Sequence, residues 1–546
     1  MMVMPFPAPT PSKPAKADIT TTCLAGDAGD ANDTFYEAVV ARDARFDGLF
    51  FTGVTSTGIY CRPVCSVRIP KRSNCRFFAH AAQAESAGFR PCLRCRPELA
   101  PHSMPWCVED TSHTLAGQAA RLLDTPAKFS VATLAARLGV SPLQLQRIFK
   151  THLGVSPLQY LQTRRLLTAK QLLSDTALPI TRIALMSGFT SAQRLNAAFA
   201  AHYRLHPSAL RQRSAALSVG QGSVTVRLGY RPPYDTDAMM DFFKSHVMAG
   251  SEFVATDPET GNRLMGMTCR LQASSLVTAD QHSPQGTRWV TGWLSAQFDT
   301  QLSQLVLRVS NALCGVLPEV ICRVRDLFDL DAEPAAINRL LHPAFPTGDG
   351  LRVPGALSGF ELAVRAILGQ QITVAAARTV AQRLVAMLGE PIETPWPALN
   401  RVFPTPAQLL DTSTERSSLL GGLGIIRQRQ AAIAALAQVV ASGQLVLSSQ
   451  VDMPNAVAAL KALPGVGDWT AQYIAMRALR WPDAFPAADV ALHKILGVQG
   501  LKHPARLAEA ASSAWQPWRS YAVIRVWSGA WRGPDEPPLN TSAKCP

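Results

Sequence analysis

Hydrophobic and polar positions alternate with a period of two in two stretches near the middle of the chain, residues 223–228 and 304–309. Such alternation is typical of β-strands that bury one face of a sheet. From 112 to 213, and again from 351 to 531, apolar residues recur instead at helical spacing. The pattern therefore predicts an α+β segment between two mainly helical ones.

Breaks rich in Pro and Gly divide the 546-residue chain further, and its length leaves room for three or four ordinary domains. The N-terminal end is rich in Pro and Ala and predicts a disordered leader over residues 1–32. The rest divides into four predicted domains, over 33–105, 110–215, 222–345 and 350–537. The fold class expected is a multidomain protein, mainly α-helical with α+β parts.

The helical segment after residue 110 contains an internal repeat at a spacing of fifty residues, in which 141–164 matches 191–213. Each copy has a short helix, a turn and a second helix with polar and basic residues, which is typical of a helix-turn-helix motif. The second helix of such a motif enters the DNA major groove, where its polar side chains contact base edges. The candidates for these contacts are Gln144, Gln146, Arg147, Lys150, Gln193, Arg194 and Asn196. The apolar positions between them are interpreted as core: Leu145, Ile148, Phe149, Leu195 and Phe199.

The distribution of charge supports a DNA-binding role for the repeat. The chain has a formal net charge of +14, and residues 111–215 hold thirteen Lys or Arg against two acids. A basic segment of that density indicates a nucleic-acid partner, although a solvated basic surface is the alternative. The twin motif, including its second half from Ile183 to Pro207, resembles the AraC/XylS family of transcription regulators. That resemblance implies double-stranded promoter DNA and RNA polymerase as partners.

Four cysteines form two close pairs before the repeat, Cys61 with Cys65 and Cys92 with Cys95. This spacing is typical of a tetrahedral site for one Zn²⁺ with four thiolate ligands, and a purely structural site is the first interpretation. Four thiolates on one zinc also leave each sulfur electron-rich and nucleophilic. Basic residues near the pairs in sequence are able to hold a phosphate backbone against such a cluster: Arg62, Arg68, Lys71, Arg72, Arg76, Arg90, Arg94 and Arg96.

The composition predicts a cytoplasmic protein without a membrane segment. No run of about eighteen apolar residues occurs, and the N-terminus lacks the continuous apolar core of a signal peptide. Eleven cysteines without an export signal favour a reducing compartment, where paired cysteines bind metal more often than they form disulfides.

The residues around the cysteine pairs, 57–65 and 87–95, resemble the N-terminal metal-binding domain of the Ada methylation sensors. The resemblance implies that Cys61 accepts a methyl group from a methylphosphotriester in DNA and that the other three cysteines are the remaining zinc ligands. It also places Arg68 at a basic position of the family pattern. Methylating a thiolate removes one negative charge beside DNA, so the adjacent helix-turn-helix segment would bind more tightly. The Pro-Cys-His-Arg motif of an alkylguanine methyltransferase does not occur in the sequence.

A glycine hairpin lies at residues 463–467. Gly465 and Gly467 permit a tight turn around Val466 and present backbone N–H groups at a helix N-terminus, which suits a DNA phosphate. A plain interhelical turn is the alternative. Asp489 lies twenty-two residues past Gly467. A carboxylate there is able to stabilise the positive charge that develops on deoxyribose as a base departs, or to cap a helix, or both.

A hairpin followed by an aspartate in this way resembles the helix-hairpin-helix DNA glycosylase superfamily. In lyase-competent members, a lysine two positions after the second glycine forms a Schiff base with the sugar, but this chain has Trp469 there. The resemblance therefore implies simple hydrolysis that leaves an abasic site. No iron–sulfur cluster is expected, because Cys545 is the only cysteine near the C-terminus.

The segment from about Val224 to Asp535 resembles the AlkA-type 3-methyladenine DNA glycosylases. The motifs that carry the resemblance are 230–234, 364–370, 403–406, the hairpin and 515–522. Aromatic faces stack well on electron-poor alkylated bases, and the resemblance implies three such residues in the base pocket: Trp469, Tyr473 and Trp527. It also places Gln371 where the family has an intercalating leucine, so that an amide would fill the gap left by the flipped base.

These resemblances complete the prediction of fold and function. We expect a small zinc domain with four cysteine ligands, a twin helix-turn-helix domain, an α+β AlkA N-terminal domain and an all-α helix-hairpin-helix glycosylase domain. The expected function is adaptive-response alkylation repair, in which alkylated bases of the 3-methyladenine type are released by hydrolysis and methylphosphotriesters are sensed to regulate transcription. The alternatives are a methylation-responsive regulator whose C-terminal half only clamps DNA, and a zinc domain without methyl transfer.

Overall fold

A computed structural model describes residues 28–102, 111–124, 130–214, 222–258, 260–272, 289–410 and 413–529. Most of the predicted leader lies outside these residues, as do residues 530–537 of the last predicted domain and Cys23, Cys107 and Cys545. The first helix, α1 (Ala28–Ala41), already begins inside the segment predicted as leader. In the described part of the chain, no helix is long and apolar enough to cross a membrane.

The residues after α1 build a small sheet with one covering helix. Its elements are β1 (Phe51–Val54), β2 (Ile59–Cys61), β3 (Cys75–Phe78), α2 (Ala81–Ser86) and β4 (Arg90–Pro91). The strand order is β3-β1-β2-β4, with β1 antiparallel to β2 and β3, and β2 parallel to β4. Because β2 ends at Cys61 and β4 leads into Cys92, the parallel pair brings the two cysteine pairs together.

The next part is helical and contains both copies of the repeat. Its elements are α3 (Thr111–Asp124), α4 (Val131–Arg137), α5 (Pro142–Leu153), α6 (Pro157–Asp175), α7 (Ile180–Met186), α8 (Ala192–Tyr203) and α9 (Pro207–Ser214). In each copy a serine hydroxyl caps the second helix, Ser141 for α5 and Ser191 for α8. The turns before these helices pass through Gly139 and Gly188, both at positive φ. The predicted helix-turn-helix repeat is therefore confirmed.

The two stretches of alternating residues are strands, as predicted, and they pair with each other in a five-stranded antiparallel sheet. The elements of this part are β5 (Ser223–Gly229), α10 (Thr236–His246), β6 (Glu252–Thr256), β7 (Arg263–Gln272), β8 (Trp289–Asp299) and β9 (Gln304–Ser310). The strand order is β5-β9-β8-β7-β6. Alternate side chains of β5 and β9 are buried, which accounts for their period of two.

The last part is mainly helical and surrounds the buried helix α13. Its elements are α11 (Leu317–Leu327), α12 (Pro334–Leu341), α13 (Gly359–Leu368), α14 (Val374–Leu388), β10 (Glu390–Pro391), β11 (Arg401–Val402), α15 (Pro406–Leu409), α16 (Thr414–Gly422), α17 (Arg427–Ala441), α18 (Met453–Lys461), α19 (Asp468–Arg477), α20 (Val490–Ile495), α21 (Pro504–Ala511) and α22 (Arg519–Trp527). Helix α13 packs against α14, α17 and α19. It therefore supports the hairpin that precedes α19.

The hydrophobic cores do not follow the repeat. Phe149 of the first copy belongs to a small core of α3 to α6, to which Ala82 of α2 also contributes. Ile183 and Phe199 of the second copy instead belong to the core of the five-stranded sheet, together with Val226 and Leu307. Two copies that are alike in sequence are thus held by different parts of the fold.

A fully buried arginine joins three parts of the chain. Arg231, which follows β5, is 1% exposed. A buried guanidinium must have its N–H groups hydrogen-bonded, because an unpaired polar group loses its bonds to water. Its three nitrogens donate to five backbone carbonyls at distances of 2.8 to 3.2 Å: Asp47, Pro101, His102, Asp331 and Ala332.

The carboxyl group of Glu85 joins the zinc-site region to both copies of the repeat. Its Oε1 accepts hydrogen bonds from the hydroxyls of Tyr60 at 3.0 Å and Tyr203 at 3.1 Å, and its Oε2 accepts one from Thr163 at 2.7 Å. Burial raises the pKa of the Glu85 carboxyl to about 7, from an ordinary value of 4.5. The folded protein therefore holds a proton on this group at pH values where the unfolded chain has lost it.

This difference predicts a pH-dependent stability. The contribution of protonated Glu85 is fully present below pH 4.5 and is lost as the pH rises to about 7. Between pH 5 and pH 8 the wild type should lose on the order of 2 kcal/mol of unfolding free energy relative to Glu85→Gln, which has no proton to lose. Urea unfolding at both pH values measures the difference. The exposed Glu37→Gln should track the wild type, and parallel pH curves for Glu85→Gln and wild type would contradict the expectation.

Candidate functional sites: a thiolate cluster and an aromatic pocket

Cys61, Cys65, Cys92 and Cys95 lie together at the end of the β2–β4 pair, with their sulfur atoms all within 4.8 Å of one another. Each is at most 9% exposed. A zinc ion bound at about 2.3 Å by four tetrahedral sulfurs holds those sulfurs roughly 3.8 Å apart, close to the 4.0 Å between Cys65 and Cys92. The four side chains are therefore consistent with one Zn²⁺.

Two of the arginines expected to face DNA have internal partners instead. Arg62 donates through Nε to the Asp47 carboxylate at 2.8 Å and through Nη1 to the Cys95 carbonyl at 3.0 Å. Arg96 pairs with the carboxylate of Glu98 and with a second carboxylate on α6. The expectation of a phosphate contact is wrong for these two residues. Position in sequence does not reveal which arginines turn inward to pair with buried carboxylates.

The remaining basic residues of that set reach solvent, and Arg72 pairs there with the Asp33 carboxylate at 3.0 Å. Arg68 is exposed, as are Lys71, Arg76 and Arg94, and Arg72 and Arg90 are partly so. The fifth cysteine of this region, Cys75, donates to the Lys71 carbonyl at 3.4 Å and stays outside the cluster. Arg68, Arg90 and Arg94, each within three residues of a cluster cysteine in sequence, therefore reach the solvent, where a phosphate is accessible to them.

The side chains predicted to contact bases are on the exposed faces of α5 and α8. They are Gln144, Gln146, Arg147, Lys150, Gln193, Arg194 and Asn196. The apolar residues between them are buried, as interpreted from the sequence: Leu145, Ile148, Phe149, Leu195 and Phe199. Each second helix thus combines a buried apolar face with an exposed face that carries groups able to contact base edges.

The glycine hairpin connects α18 to α19. Gly465 has a φ of +75°, which favours glycine, and a Cβ there would lie 3.2 Å from the Cβ of Ala432. Val466 is buried and anchors the turn, whereas Gly465 and Gly467 are exposed. Gly467 is the N-cap of α19. The exposed turn therefore lies at a helix N-terminus, where backbone N–H groups attract anions.

Asp489 is the N-cap of α20, and N–H donors surround its carboxylate. Its Oδ1 accepts hydrogen bonds from the backbone N–H groups of Ala491 at 2.9 Å and Leu492 at 3.0 Å. Its Oδ2 accepts one from the indole N–H of Trp469 at 2.9 Å, and the indole N–H of Trp527 donates to Oδ1 at 3.4 Å. The capping interpretation is confirmed. Four donors fix the carboxylate while it stays partly exposed.

The three aromatic residues predicted for a base pocket lie around Asp489. Trp469 and Tyr473 are one turn apart on α19, and their rings stack with centres 5.2 Å apart and planes 9° apart. The centres of the Tyr473 and Trp527 rings are 6.3 Å apart. A base held between two rings needs about 7 Å, twice the contact distance of about 3.5 Å. The Tyr473 and Trp527 ring centres are somewhat closer than that and their planes are 42° apart, so the two rings line one pocket without forming a parallel slot.

The loop after α13 carries Gln371 to the surface beside the hairpin. Gln371 is exposed and has a φ of +55°. The side chain of its neighbour Gln370 donates to the Gly465 carbonyl at 2.8 Å and to the Thr470 hydroxyl at 3.0 Å. The Gln370 carbonyl accepts a hydrogen bond from Arg429. These contacts hold the Gln371 loop and the hairpin together.

The sequence did not identify several of these residues. Gln370 and Arg429 carry no local signal, because their partners lie 95 and 59 residues away. Ile372 is an exposed apolar residue in a loop, and that signal was available beside Gln371. Trp469 was predicted as a pocket wall, and its hydrogen bond to Asp489 is a further role that only the folded structure reveals.

Comparison with known proteins divides the chain into four consecutive parts, as the sequence and the fold do. Four family models match consecutive parts of the chain: the metal binding domain of Ada over 34–98, a helix-turn-helix domain over 134–213, the AlkA N-terminal domain over 225–358, and the HhH-GPD superfamily of base excision DNA repair proteins over 364–519. A probable bifunctional transcriptional activator/DNA repair enzyme AlkA from Mycobacterium tuberculosis is 35% identical over 505 residues, which are 90% of this chain and 95% of that protein. The chain belongs to this bifunctional AlkA family.

Two relatives from Escherichia coli each match one part of the chain. DNA-3-methyladenine glycosylase 2 is 30% identical over 309 residues, which are 57% of this chain and 99% of that protein. The bifunctional transcriptional activator/DNA repair enzyme Ada is 38% identical over 144 residues, which are 26% of this chain and 37% of that protein. These matches confirm the resemblances found in the sequence. They support a DNA glycosylase of the 3-methyladenine type in the C-terminal half of this bifunctional AlkA family member.

The thiolate cluster predicts a defined metal content. The purified chain should hold one equivalent of zinc, and Cys65→Ala should hold well under one and melt at a lower temperature, because a structural zinc site contributes to folding. Cys75→Ala removes a buried thiol of the same region that lies outside the cluster, and it should retain the metal. Elemental analysis together with thermal unfolding tests both variants. A full equivalent of zinc in Cys65→Ala would rule out the four-thiolate site.

Proposed function

We propose that this chain is an adaptive-response DNA alkylation-repair protein that acts as a monofunctional DNA glycosylase and as a methylation-sensing transcription regulator. The methyl-acceptor domain would cover residues 33–105, the promoter-binding domain 110–215, and the two parts of the glycosylase 222–345 and 350–537. The observation that carries the proposal is the Asp489 carboxylate, held by two indole N–H groups in an aromatic pocket beside an exposed hairpin. Reactive thiolates require a reducing compartment, so the proposed location is the cytoplasm.

Glycosylase action begins with DNA binding and base flipping. The backbone N–H groups of Gly465, Val466 and Gly467 would hold a phosphate at the start of α19. Gln371, fixed beside the hairpin by its neighbour Gln370, would fill the gap left by the flipped base, together with the exposed apolar side chain of Ile372. The extruded nucleotide would then enter the adjoining aromatic pocket.

The chemical step is hydrolysis of the N-glycosidic bond. The alkylated base would stack between Tyr473 and Trp527, and positive charge develops on the sugar as the bond from C1′ to the base nitrogen breaks. The Asp489 carboxylate stabilises that charge, and water adds to C1′. Trp469 has no amine, so it cannot form a Schiff base with the sugar. Its N–H group instead orients Asp489, and the product is an abasic site.

Asp489→Asn should lower the single-turnover rate of 3-methyladenine release by at least about 100-fold, because a neutral amide does not stabilise a cationic sugar. Trp469→Phe keeps an aromatic ring but loses the hydrogen bond to Asp489, and it should lower the rate by about 10-fold. Asp237→Asn, on the exposed face of α10, is the matched control and should behave as wild type.

Release of the base is measured from alkylated duplex DNA at saturating protein. Equal rates for Asp489→Asn and wild type would refute the role given to this carboxylate. A wild type that binds alkylated DNA and releases no base would favour the alternative, in which the C-terminal half only clamps DNA.

The second proposed activity is methyl transfer from a DNA methylphosphotriester to Cys61. The backbone N–H of Arg62 donates to the Cys95 sulfur at 3.3 Å. An N–H···S hydrogen bond draws charge from a thiolate, so this contact makes the Cys95 sulfur a weaker nucleophile, and the choice of Cys61 rests on the similarity to the metal binding domain of Ada. Zinc, when bound, keeps the thiolates deprotonated.

In this step the Cys61 sulfur attacks the methyl carbon. A C–S bond forms, the C–O bond to the phosphotriester breaks, and its electron pair leaves with the phosphate as an ordinary diester. The cluster loses one negative charge, so its repulsion of DNA falls. Promoter binding and contact with RNA polymerase would follow. The DNA-binding side chains in this state would be Arg68, Gln144, Arg147, Lys150, Gln193, Arg194 and Asn196.

Incubation with methylphosphotriester DNA should produce one S-methyl group per chain, on the peptide that contains Cys61. Peptide mass spectrometry measures it, and Cys75→Ser should be methylated as fully as wild type. The methylated protein should bind its promoter at least about 10-fold more tightly at moderate salt. Methylation at another cysteine, or at none, would refute the assignment and leave the zinc site structural.

A further inference from the structure

Lys461 and Asp468 form an ion pair across the glycine hairpin. Lys461 is the last residue of α18, and Asp468 is the first residue of α19. The Lys461 ammonium nitrogen lies 2.8 Å from Oδ1 of the Asp468 carboxylate, and the two side chains are 49% and 45% exposed. Two opposite charges that solvent reaches therefore stand at the two ends of the turn.

The first turn of α19 contains backbone N–H groups that the fold itself does not use. The N–H group of Ala471 donates to the Gly467 carbonyl at 3.0 Å. Those of Asp468, Trp469 and Thr470 have no acceptor in the part of the chain that the structure describes. Such N–H groups give the start of a helix a partial positive charge. They directly follow the hairpin N–H groups that the proposed function assigns to a DNA phosphate.

Asp468 has two opposite effects at the start of this helix. Its carboxylate stabilises α19, because a negative charge in the first turn is attracted by the partial positive charge there. The same carboxylate repels a DNA phosphate that approaches the hairpin, since like charges a few ångströms apart oppose each other even in water. The charge that favours the helix therefore works against DNA binding, unless a cation compensates it.

Lys461 is the cation that compensates this charge. Among the residues that the structure describes, it is the one Lys or Arg within ion-pair distance of Asp468. Arg429, another basic residue near the hairpin, donates to the Gln370 carbonyl instead. An exposed ion pair contributes little to the stability of a fold. The larger consequence of the pair is that it leaves no net charge beside the phosphate site.

We propose that Lys461 makes the hairpin able to bind DNA by neutralising Asp468, and that it acts through this carboxylate instead of touching a phosphate itself. The inference rests on the proposed glycosylase function and adds a residue that sets the affinity of its DNA site. Two other roles for Lys461 give different results in the same experiment. They are a direct contact with a phosphate, and a clamp that only holds the turn.

The test compares the full chain of the wild type with Lys461→Met, Asp468→Asn and the double variant. Single-turnover release of 3-methyladenine from short alkylated duplexes at low salt gives a maximal rate and a half-saturating protein concentration. Lys461→Met should raise the half-saturating concentration about 5-fold and change the maximal rate less than about 2-fold, because it leaves Asp468 uncompensated. Asp468→Asn should lower that concentration by a similar factor, and the double variant should return to the wild-type value. Lys502→Met, at an exposed lysine outside both helices, is the matched control and should behave as wild type.

Three results would overturn the inference. A loss of affinity in Lys461→Met that persists in the double variant would show that Lys461 contacts a phosphate directly. Equal losses in both single variants would show that the pair only clamps the turn, and no loss in Lys461→Met would show that the pair has no part in DNA binding. In each of these cases the proposed glycosylase function would stand. A wild type that releases no base would refute the proposed function, and the inference would fail with it.

Discussion

The architecture of this chain depends on hydrogen-bonding arginine side chains that are withdrawn from water. Arg231 bonds to backbone carbonyls of the zinc-site region, of the segment after it and of the start of the last helical part, so those three parts must meet at one point. One of its acceptors is the carbonyl of Asp47, whose carboxylate pairs with Arg62. Arg62 in turn donates its backbone N–H to the sulfur of Cys95. A continuous series of contacts therefore runs from the thiolate cluster to the region that carries the glycosylase fold.

Sequence signals located the sites but did not reveal the contacts that position them. Short motifs with a fixed spacing contain the cysteine pairs, the hairpin glycines and Asp489. In the structure, the four cysteines lie together and the aromatic residues lie around Asp489. Arg62 looked like a phosphate contact and is buried against Asp47 instead. Arg477 is also buried, and no sequence pattern predicted its burial. Long-range packing decides which buried charges pair, so a local sequence pattern does not predict the pairs.

The two helix-turn-helix copies show how a fold uses a repeat unequally. The second copy lies on the five-stranded sheet and shares its core, while the first forms a small core of its own. The first copy nevertheless touches the last helical part, where Arg137 of α4 donates to the Gln450 carbonyl at 3.0 Å. Both second helices still expose their polar faces. Promoter binding and base removal are therefore supported by one continuous packing arrangement.

The cluster around Glu85 limits where the chain can be cut into working fragments. A recombinant piece that ended at residue 102 would keep Tyr60 but lose Thr163 and Tyr203, so water would reach the carboxyl group and it would ionise as an ordinary glutamate does. Glu98 would lose Lys170 in the same way. The fragment would carry more negative charge than the same residues carry within the whole chain. A DNA affinity measured on the fragment would therefore not represent that of the whole chain. Domains that can be recognised separately in the sequence therefore depend on one another for the ionisation state of their buried side chains.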